Sequence, residues 1–141
     1  MTFTKAVWII LVVLGFHAAG LVFGLYGAWE LYDVPMHFGG GFAMGALALA
    51  IWYQGIEDVH FKGRMARHLA PWLVPLFVLG FVSFIGIGWE LLEFVLDQLF
   101  PVMTQGTEGG MRQVSLDDTM LDFVMDLLGG ATALILFYRG R

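Results

Sequence analysis

Residues 119–138 read TMLDFVMDLLGGATALILFY, and this stretch decides the fold class. Its length is close to the roughly 20 residues with which a helix crosses the hydrocarbon core of a bilayer. Its second half is apolar, but Asp122 and Asp126 lie roughly one and two turns inside the first half at about 1.5 Å per residue. The stretch is therefore predicted to be a membrane-spanning helix that carries acids within the membrane.

Three other apolar stretches of similar character precede it, at about residues 6–26, 34–54 and 69–100. The composition agrees, because 13% of the residues are charged where a soluble domain has about 25%. We predict a single all-α domain over residues 1–141, built as an integral membrane bundle of four transmembrane helices. The third stretch is longer than a straight span needs, so its last turns should bend or project beyond the core.

Composition and charge also exclude several classes of protein. The chain has no cysteine, which excludes a disulfide framework and a thiolate metal site. Its net charge of −5, without a basic patch, argues against nucleic acid as a partner. Lys5 and the apolar run after it resemble a signal peptide, but no A-x-A site follows, so we expect a retained helix.

The basic residues predict the orientation. Arg112 alone lies in the segment between the third and fourth stretches, whereas the other six basic residues fall on the opposite side: Lys5, Lys62, Arg64, Arg67, Arg139 and Arg141. By the positive-inside rule, both termini are cytoplasmic in a multi-pass protein of the inner (plasma) membrane. The acids near the other ends of the helices then face outward.

Acids and one histidine repeat at helical spacing near these outward ends. Asp33 and His37 are four residues apart, Glu90 and Glu93 are three apart, and Asp118 begins a series at intervals of four. Each ionisable group costs about 2.5–3.5 kcal/mol at the centre of a membrane helix, so their faces should meet away from lipid. We predict one shared site with these ligands: Asp33, His37, Glu90, Glu93, Asp122 and Asp126. Asp118 would lie at its entrance.

Crowded carboxylates repel one another unless a cation, a shared proton or water separates them. Oxygen ligands with one imidazole suit a hard or borderline divalent metal ion, which is the cofactor we expect. A metal-activated water would make the cluster a hydrolase site, with Glu93 and Asp122 as catalytic residues. His17, at a depth similar to that of Asp126, is expected to hydrogen-bond that aspartate, directly or through one water, and to form the floor of the site.

Simpler interpretations remain open for some of these positions. Four acids could simply be interfacial residues that interact with the positive ends of helix dipoles: Glu30, Asp33, Asp117 and Asp118. The glycines fit close helix packing without any direct function, and they come in pairs on three helices: Gly20 and Gly24, Gly41 and Gly45, and Gly129 and Gly130.

The residues together resemble the VanZ-like membrane proteins, and especially the YjdF-type inner-membrane branch. The resemblance covers about residues 30–133 and rests on four motifs: Tyr32-Asp33-x-x-x-His37-Phe38 with Gly40 and Gly41, Trp89-Glu90-x-x-Glu93-Phe94, Thr104-Gln105-Gly106, and Asp118-Thr119-x-x-Asp122-x-x-x-Asp126-x-x-Gly129. Asp126 stands where that family often has Asn, and the loop between Gly106 and Asp118 is longer than the family pattern. The resemblance implies a small polytopic membrane protein, with name-giving members linked to glycopeptide-antibiotic tolerance, and it implies no settled reaction.

The sequence thus favours an outward-facing polar site that binds a divalent metal and acts on or recognises a membrane-associated or envelope ligand. Whether the protein is an enzyme stays open. A second interpretation is a non-catalytic subunit or assembly factor of a larger membrane complex, with protein partners or a homo-oligomer inside the lipid bilayer. A third is an ion or proton carrier, which the lack of acids in the inner halves of the spans disfavours.

The orientation can be tested with reporter fusions. A reporter fused after Arg141 should be located in the cytoplasm, and a reporter inserted near Gly109 should be located outside. This is expected because six of the seven basic residues lie on one side. Paired enzymatic reporters at each site provide the measurement. A cytoplasmic reporter at Gly109 would reverse the orientation and place the site on the inner face.

Overall fold

The computed structural model describes residues 1–29, 31–56, 64–99 and 116–138, and nearly all of these are helical. The elements in chain order are α1 (Phe3–Val22), a short α2 (Leu25–Ala28), α3 (Asp33–Ile51), α4 (Arg64–Leu99) and α5 (Leu116–Phe137). A π-helical turn, Trp52–Ile56, extends α3. No strand occurs in the described ranges, so the all-α prediction is confirmed.

Four of the helices are long and apolar enough to cross a membrane: Phe3–Val22, Asp33–Ile56, His68–Leu96 and Leu116–Phe137. The prediction of a multi-pass bundle is therefore confirmed. α4 has 36 residues, or roughly 54 Å of helix, against a hydrocarbon core of about 30 Å. Its ends therefore extend beyond the core, as expected from the length of the third apolar stretch.

The first helix ends earlier than the sequence predicts, because the chain turns at Gly24. This glycine has φ 64°, a left-handed conformation that is costly for residues with a Cβ atom. The chain then forms α2 before α3 begins at Asp33. Gly20, four residues earlier, lies directly beneath the ring of Tyr32, whose hydroxyl donates a 2.8 Å hydrogen bond to the Phe16 carbonyl. These contacts hold α1 against the start of α3.

The most extensive helix contact joins α3 to α5, which run parallel to each other. A Cβ atom on Gly41 would overlap the backbone carbonyl of Asp126, and one on Gly129 would overlap the carbonyl of Phe38. One turn further on, a Cβ atom on Gly45 would lie 2.9 Å from the Ala133 methyl group. Small residues therefore let the two backbones approach closely, as in other membrane helix pairs.

An apolar core fills the end of the bundle at which α3 terminates. Its fully or almost fully buried members are Ala48, Leu49, Val74 and Val78, from α3 and α4. Around them pack Met1, Trp52, Tyr53, Phe77, Phe81, Leu134, Phe137 and Tyr138. The buried ionisable side chains in the described ranges lie toward the opposite end of the bundle.

The glycine contact between α3 and α5 gives a stability prediction. Gly41→Ala should lower the free energy of unfolding by about 1–3 kcal/mol, because the methyl group must displace the α5 backbone. Gly80→Ala on α4 is the matched control, since nothing lies within 4 Å of its added Cβ. The control should leave stability unchanged or raise it by up to about 1 kcal/mol. Thermal unfolding in detergent measures both, and an unperturbed Gly41→Ala would contradict the close approach.

Candidate functional site

His37, on the second turn of α3, lies at the centre of the ionisable cluster. Its Nε2 atom is 3.7 Å from an Asp33 oxygen, 3.8 Å from a Glu90 oxygen and 3.9 Å from an Asp122 oxygen. On the other side of the ring, Nδ1 is 3.5 Å from an Asp126 oxygen. The imidazole therefore faces carboxylates from its own helix, from α4 and from α5.

Most of this cluster is shielded from the exterior of the bundle. Five of its side chains are buried, with exposed fractions between 3% and 7%: His37, Glu90, Glu93, Asp122 and Asp126. Asp33 is partly exposed and lies at the outer edge, and Asp118 is also half-buried. The structure thus brings together all six side chains that the spacing assigned to one site, and it leaves Asp118 near the edge.

Two buried atoms in the cluster have no hydrogen-bond partner among the described residues. They are Nε2 of His37 and Oδ1 of Asp122, which lie 3.9 Å apart. A buried polar atom left without a partner costs about 1–3 kcal/mol, and almost all such atoms in proteins are paired. Separations of 3.7–3.9 Å are too long for hydrogen bonds. The atoms are therefore arranged around a common space and not bonded to one another.

The donor atoms form two groups that share His37. One group is Asp33, His37 and Asp122, and the other is His37, Glu90 and Glu93. Within each group, one ligand atom from each residue lies within 4.8 Å of the others. Such spacing permits a metal ion between them, and the two groups are alternative positions for the same Nε2 atom.

Asp126 occupies a different position from the other acids. It faces Nδ1 of His37, whereas the other three neighbouring carboxylates face Nε2. Gly86 on α4 makes room for it, because a Cβ atom there would overlap the second Asp126 oxygen. Histidines that bind metals commonly use one nitrogen for the ion and the other for a carboxylate that fixes the ring. Asp126 is placed to orient His37 in this way.

Among the described residues His17 makes no direct hydrogen bond to Asp126, so the direct form of that sequence prediction is wrong. Its Nδ1 lies 2.6 Å from the hydroxyl of Tyr26, which is in the segment between the first two spans. Burial raises the pKa of the Tyr26 hydroxyl, which therefore keeps its proton. Depth along a helix did not identify the partner that the turn at Gly24 brings to His17.

Trp89 links His17 to the acids, and the sequence did not identify it as part of the site. Its ring packs edge-on against His17, with centroids 5.4 Å apart. Its indole Nε1–H donates a 2.7 Å hydrogen bond to an oxygen of Glu93. The spacing of four residues between Trp89 and Glu93 could have suggested this contact, whereas the Tyr26–His17 pair across a turn gives no such signal.

Several sequence predictions lie outside the described residues. They are the Thr104-Gln105-Gly106 motif, the reporter position near Gly109, the basic residues Lys62, Arg112, Arg139 and Arg141, and the acid Glu30.

The fold and the cluster define a class: a multi-pass α-helical membrane protein with a buried carboxylate–histidine site near one end of the bundle. The chain belongs to the family described as predicted membrane protein (DUF2238), whose family model matches residues 2–141. The resemblance to the VanZ-like proteins stays a prediction.

A relative from Thermotoga maritima, described as an uncharacterized protein, is 32% identical over 122 residues. The match covers 86% of this chain and 55% of the relative, so the chain spans about half the length of that protein. No solved structure gives a significant match.

The observed partner of His17 can be tested with a double-mutant cycle. The losses in stability from His17→Leu and Tyr26→Phe should not add, and the difference should be about 0.5–1.5 kcal/mol, typical of one hydrogen bond. The matched cycle of His17→Leu with Asp126→Asn should be additive within about 0.5 kcal/mol. Chemical unfolding of the four variants of each cycle provides the values. Coupling in the second cycle alone would restore the pairing predicted from sequence.

Proposed function

We propose that this protein binds a divalent metal ion at His37 and uses it to recognise or act on a membrane-associated or envelope ligand at the outer face of the membrane. The observation that carries the proposal is the unpartnered Nε2 atom of His37, which faces carboxylate oxygens from three helices at 3.7–3.9 Å. A ligand in the common space would satisfy this nitrogen and Asp122 Oδ1 together.

The separations of the donor atoms support a metal ion as that ligand. Two ligand atoms at about 2.1 Å from a tetrahedral ion lie about 3.4 Å apart. The distances from Nε2 to Asp33 and Asp122 are 3.7 and 3.9 Å, so shifts of a few tenths of an ångström would bring each oxygen to that separation from the nitrogen. One imidazole among carboxylates favours an ion that accepts both types of ligand, such as Mn²⁺, Fe²⁺ or Zn²⁺.

The charge of the site also favours a cation. Five carboxylic acids surround one imidazole, and most of them are buried. Ionised carboxylates in this environment would repel each other, and their desolvation is costly without a counter-charge. A divalent ion offsets two negative charges and coordinates the orphaned nitrogen at the same time.

The chain's own residues would have distinct roles in this site. Asp33, His37 and Asp122 form the ligand group that reaches the partly exposed edge, and Asp126 fixes the His37 ring. Glu93, together with Glu90, lies on the other side of His37, and the Trp89 indole fixes its carboxyl group. A bound ion would supply a Lewis acid that polarises a ligand oxygen. Glu93 and Asp122 are the side chains that we propose for proton transfer beside it.

The apolar core argues against an ion or proton carrier. A path through the bundle would need polar groups from the cluster to the opposite end, but the described residues there are apolar and tightly packed, with Leu49 and Val78 fully buried.

The interpretation as a subunit of a larger complex retains some support, because α1 is mostly exposed and could contact a partner helix. The resemblance to VanZ-like proteins fits an envelope ligand and is part of this proposal.

Metal analysis of the purified protein tests the proposal. After incubation with Mn²⁺ or Zn²⁺ and removal of free ion, the parent protein should retain metal, whereas Asp33→Asn, His37→Gln and Asp122→Asn should lose it. Asp126→Asn should weaken affinity by about 10–100-fold, because it removes only the group that orients His37. Inductively coupled plasma mass spectrometry gives the metal content.

Asp117→Asn is the matched control, since Asp117 is an exposed acid on the same helix as Asp122. It should retain the metal of the parent. Elution as the same single species in size-exclusion chromatography ensures that lost metal does not reflect misfolding. A parent protein that retains no ion, or an Asp117→Asn variant that loses it as fully as Asp122→Asn, would refute a specific metal site.

A further inference from the structure

A cavity of about 250 Å³ opens beside the cluster, between α1, α3 and α4. Each helix contributes one face at intervals of three and four residues. The apolar lining includes Ile10, Val13, Leu14, Met44, Val82 and Ile85. The ionisable lining is His17, Tyr26, Asp33, His37 and Asp126. The cavity therefore has a polar end at the proposed metal site and an apolar remainder.

The two ends of the cavity are separated along the membrane normal. His17 and Ile10 are seven residues apart on α1, as are His37 and Met44 on α3, which corresponds to roughly 10 Å of helix. The polar end lies toward the acid-bearing end of the bundle, and the apolar end lies toward its middle. This polarity matches that of a lipid in the same leaflet, with its head at the surface and its chain toward the bilayer centre.

The cavity also faces the lipid between two helices. Among the described residues, α1 packs against α3 but makes very little contact with α4, apart from the His17–Trp89 ring contact near the polar end. Below that contact, Leu14 and Ile85 line the cavity and are 50% and 37% exposed, respectively. A lateral opening toward the acyl chains of the bilayer would therefore lie at these two side chains.

We infer that this cavity receives the apolar chain of a phosphorylated amphiphile that enters from the membrane between α1 and α4, with its phosphate at the metal held by Asp33, His37 and Asp122. The inference rests on the proposed function, which it extends by naming the class of ligand. The cavity is smaller than the about 300–1,000 Å³ of pockets that enclose a whole drug-sized molecule. It therefore holds the first part of a chain, and the rest stays in the bilayer.

The phosphate head follows from the chemistry of the polar end. Among the described lining residues there is no lysine or arginine, so no permanently charged basic side chain is available there to bind an anion. Divalent ions held by a few carboxylates in proteins commonly complete their coordination with phosphate oxygens. Asp33 belongs both to the ligand group and to the cavity lining, so an ion at that position faces the head of a ligand in the cavity.

Photo-crosslinking with a defined probe tests the inference. The probe is dodecyl phosphate that carries a diazirine within its chain, added to the protein in nanodiscs with Mn²⁺ or with a chelator. We expect crosslinks to α1 and α4 residues at the lateral opening, at least tenfold more in Mn²⁺ than in chelator. Leu14→Trp and Ile85→Trp should reduce them, because the larger rings fill the opening. Peptide mass spectrometry locates and counts the crosslinks.

Val12→Trp and Phe84→Trp are the matched controls, since these neighbouring side chains are 56% and 74% exposed and do not line the cavity. They should leave the crosslinks unchanged. The same probe with an ammonium head, and unlabelled inorganic phosphate as competitor, separate the contributions of the head and the chain. The phosphate assignment would be overturned if the ammonium probe crosslinks at this opening without metal. The cavity assignment would be overturned if crosslinks are spread evenly over the lipid-facing surface.

Metal content is measured in the same nanodiscs, so the two proposals can fail separately. Retained metal without localised crosslinks would overturn the amphiphile and leave the metal site in place. Absence of metal from the parent protein would overturn both. Competition by inorganic phosphate alone, with no effect of Leu14→Trp or Ile85→Trp, would show a phosphate site that does not use the cavity, which also contradicts the inference.

Discussion

The structure depends on the high cost of exposing ionisable side chains to lipid. Four acids avoid that cost because they turn toward His37, which is buried among them: Glu90, Glu93, Asp122 and Asp126. Three helices must therefore meet at one level with fixed rotations about their axes. The close approach of α3 and α5 follows, because the backbone of Asp126 lies directly against Gly41 and its side chain against Gly86. Glycine is therefore needed at these positions so that the acids can be buried.

The two ends of the bundle differ in the polarity and the packing of their side chains. One end holds carboxylates and an imidazole whose Nε2 has no partner within the described protein, and it is there that we propose a ligand site. The other end is closed by aliphatic and aromatic side chains around Leu49 and Val78. Dispersion and close packing stabilise that end. Stability and chemistry are thus separated along the membrane normal, which allows the site to retain an unsatisfied nitrogen without loss of the fold.

Much of this arrangement could be predicted from the sequence. Span length and composition gave four helices, and intervals of three and four residues gave the faces that carry Asp33, His37, Glu90 and Asp122. Periodicity fixes which residues share a face, and the cost of burial requires those faces to meet. Periodicity does not predict which residues a turn brings into contact, so the hydrogen bond between His17 and Tyr26 across Gly24 was missed. Periodicity also does not predict which acid faces which nitrogen of His37. That assignment depends on the packing of Asp126 against Gly86.

The parallel pairing of α3 with α5 has a consequence for biogenesis. These helices are neighbours in space but are separated in the chain by α4 and its connections, and a chain is synthesised from its amino end. When α3 first enters the membrane, the face with His37 and Gly41 has no α5 to cover it. The nascent protein must therefore keep this polar face in contact with water or with the insertion machinery until the last helix arrives. Membrane integration of α3 and α5 is consequently coupled, and truncation before residue 116 would leave an intermediate that the bilayer does not accommodate.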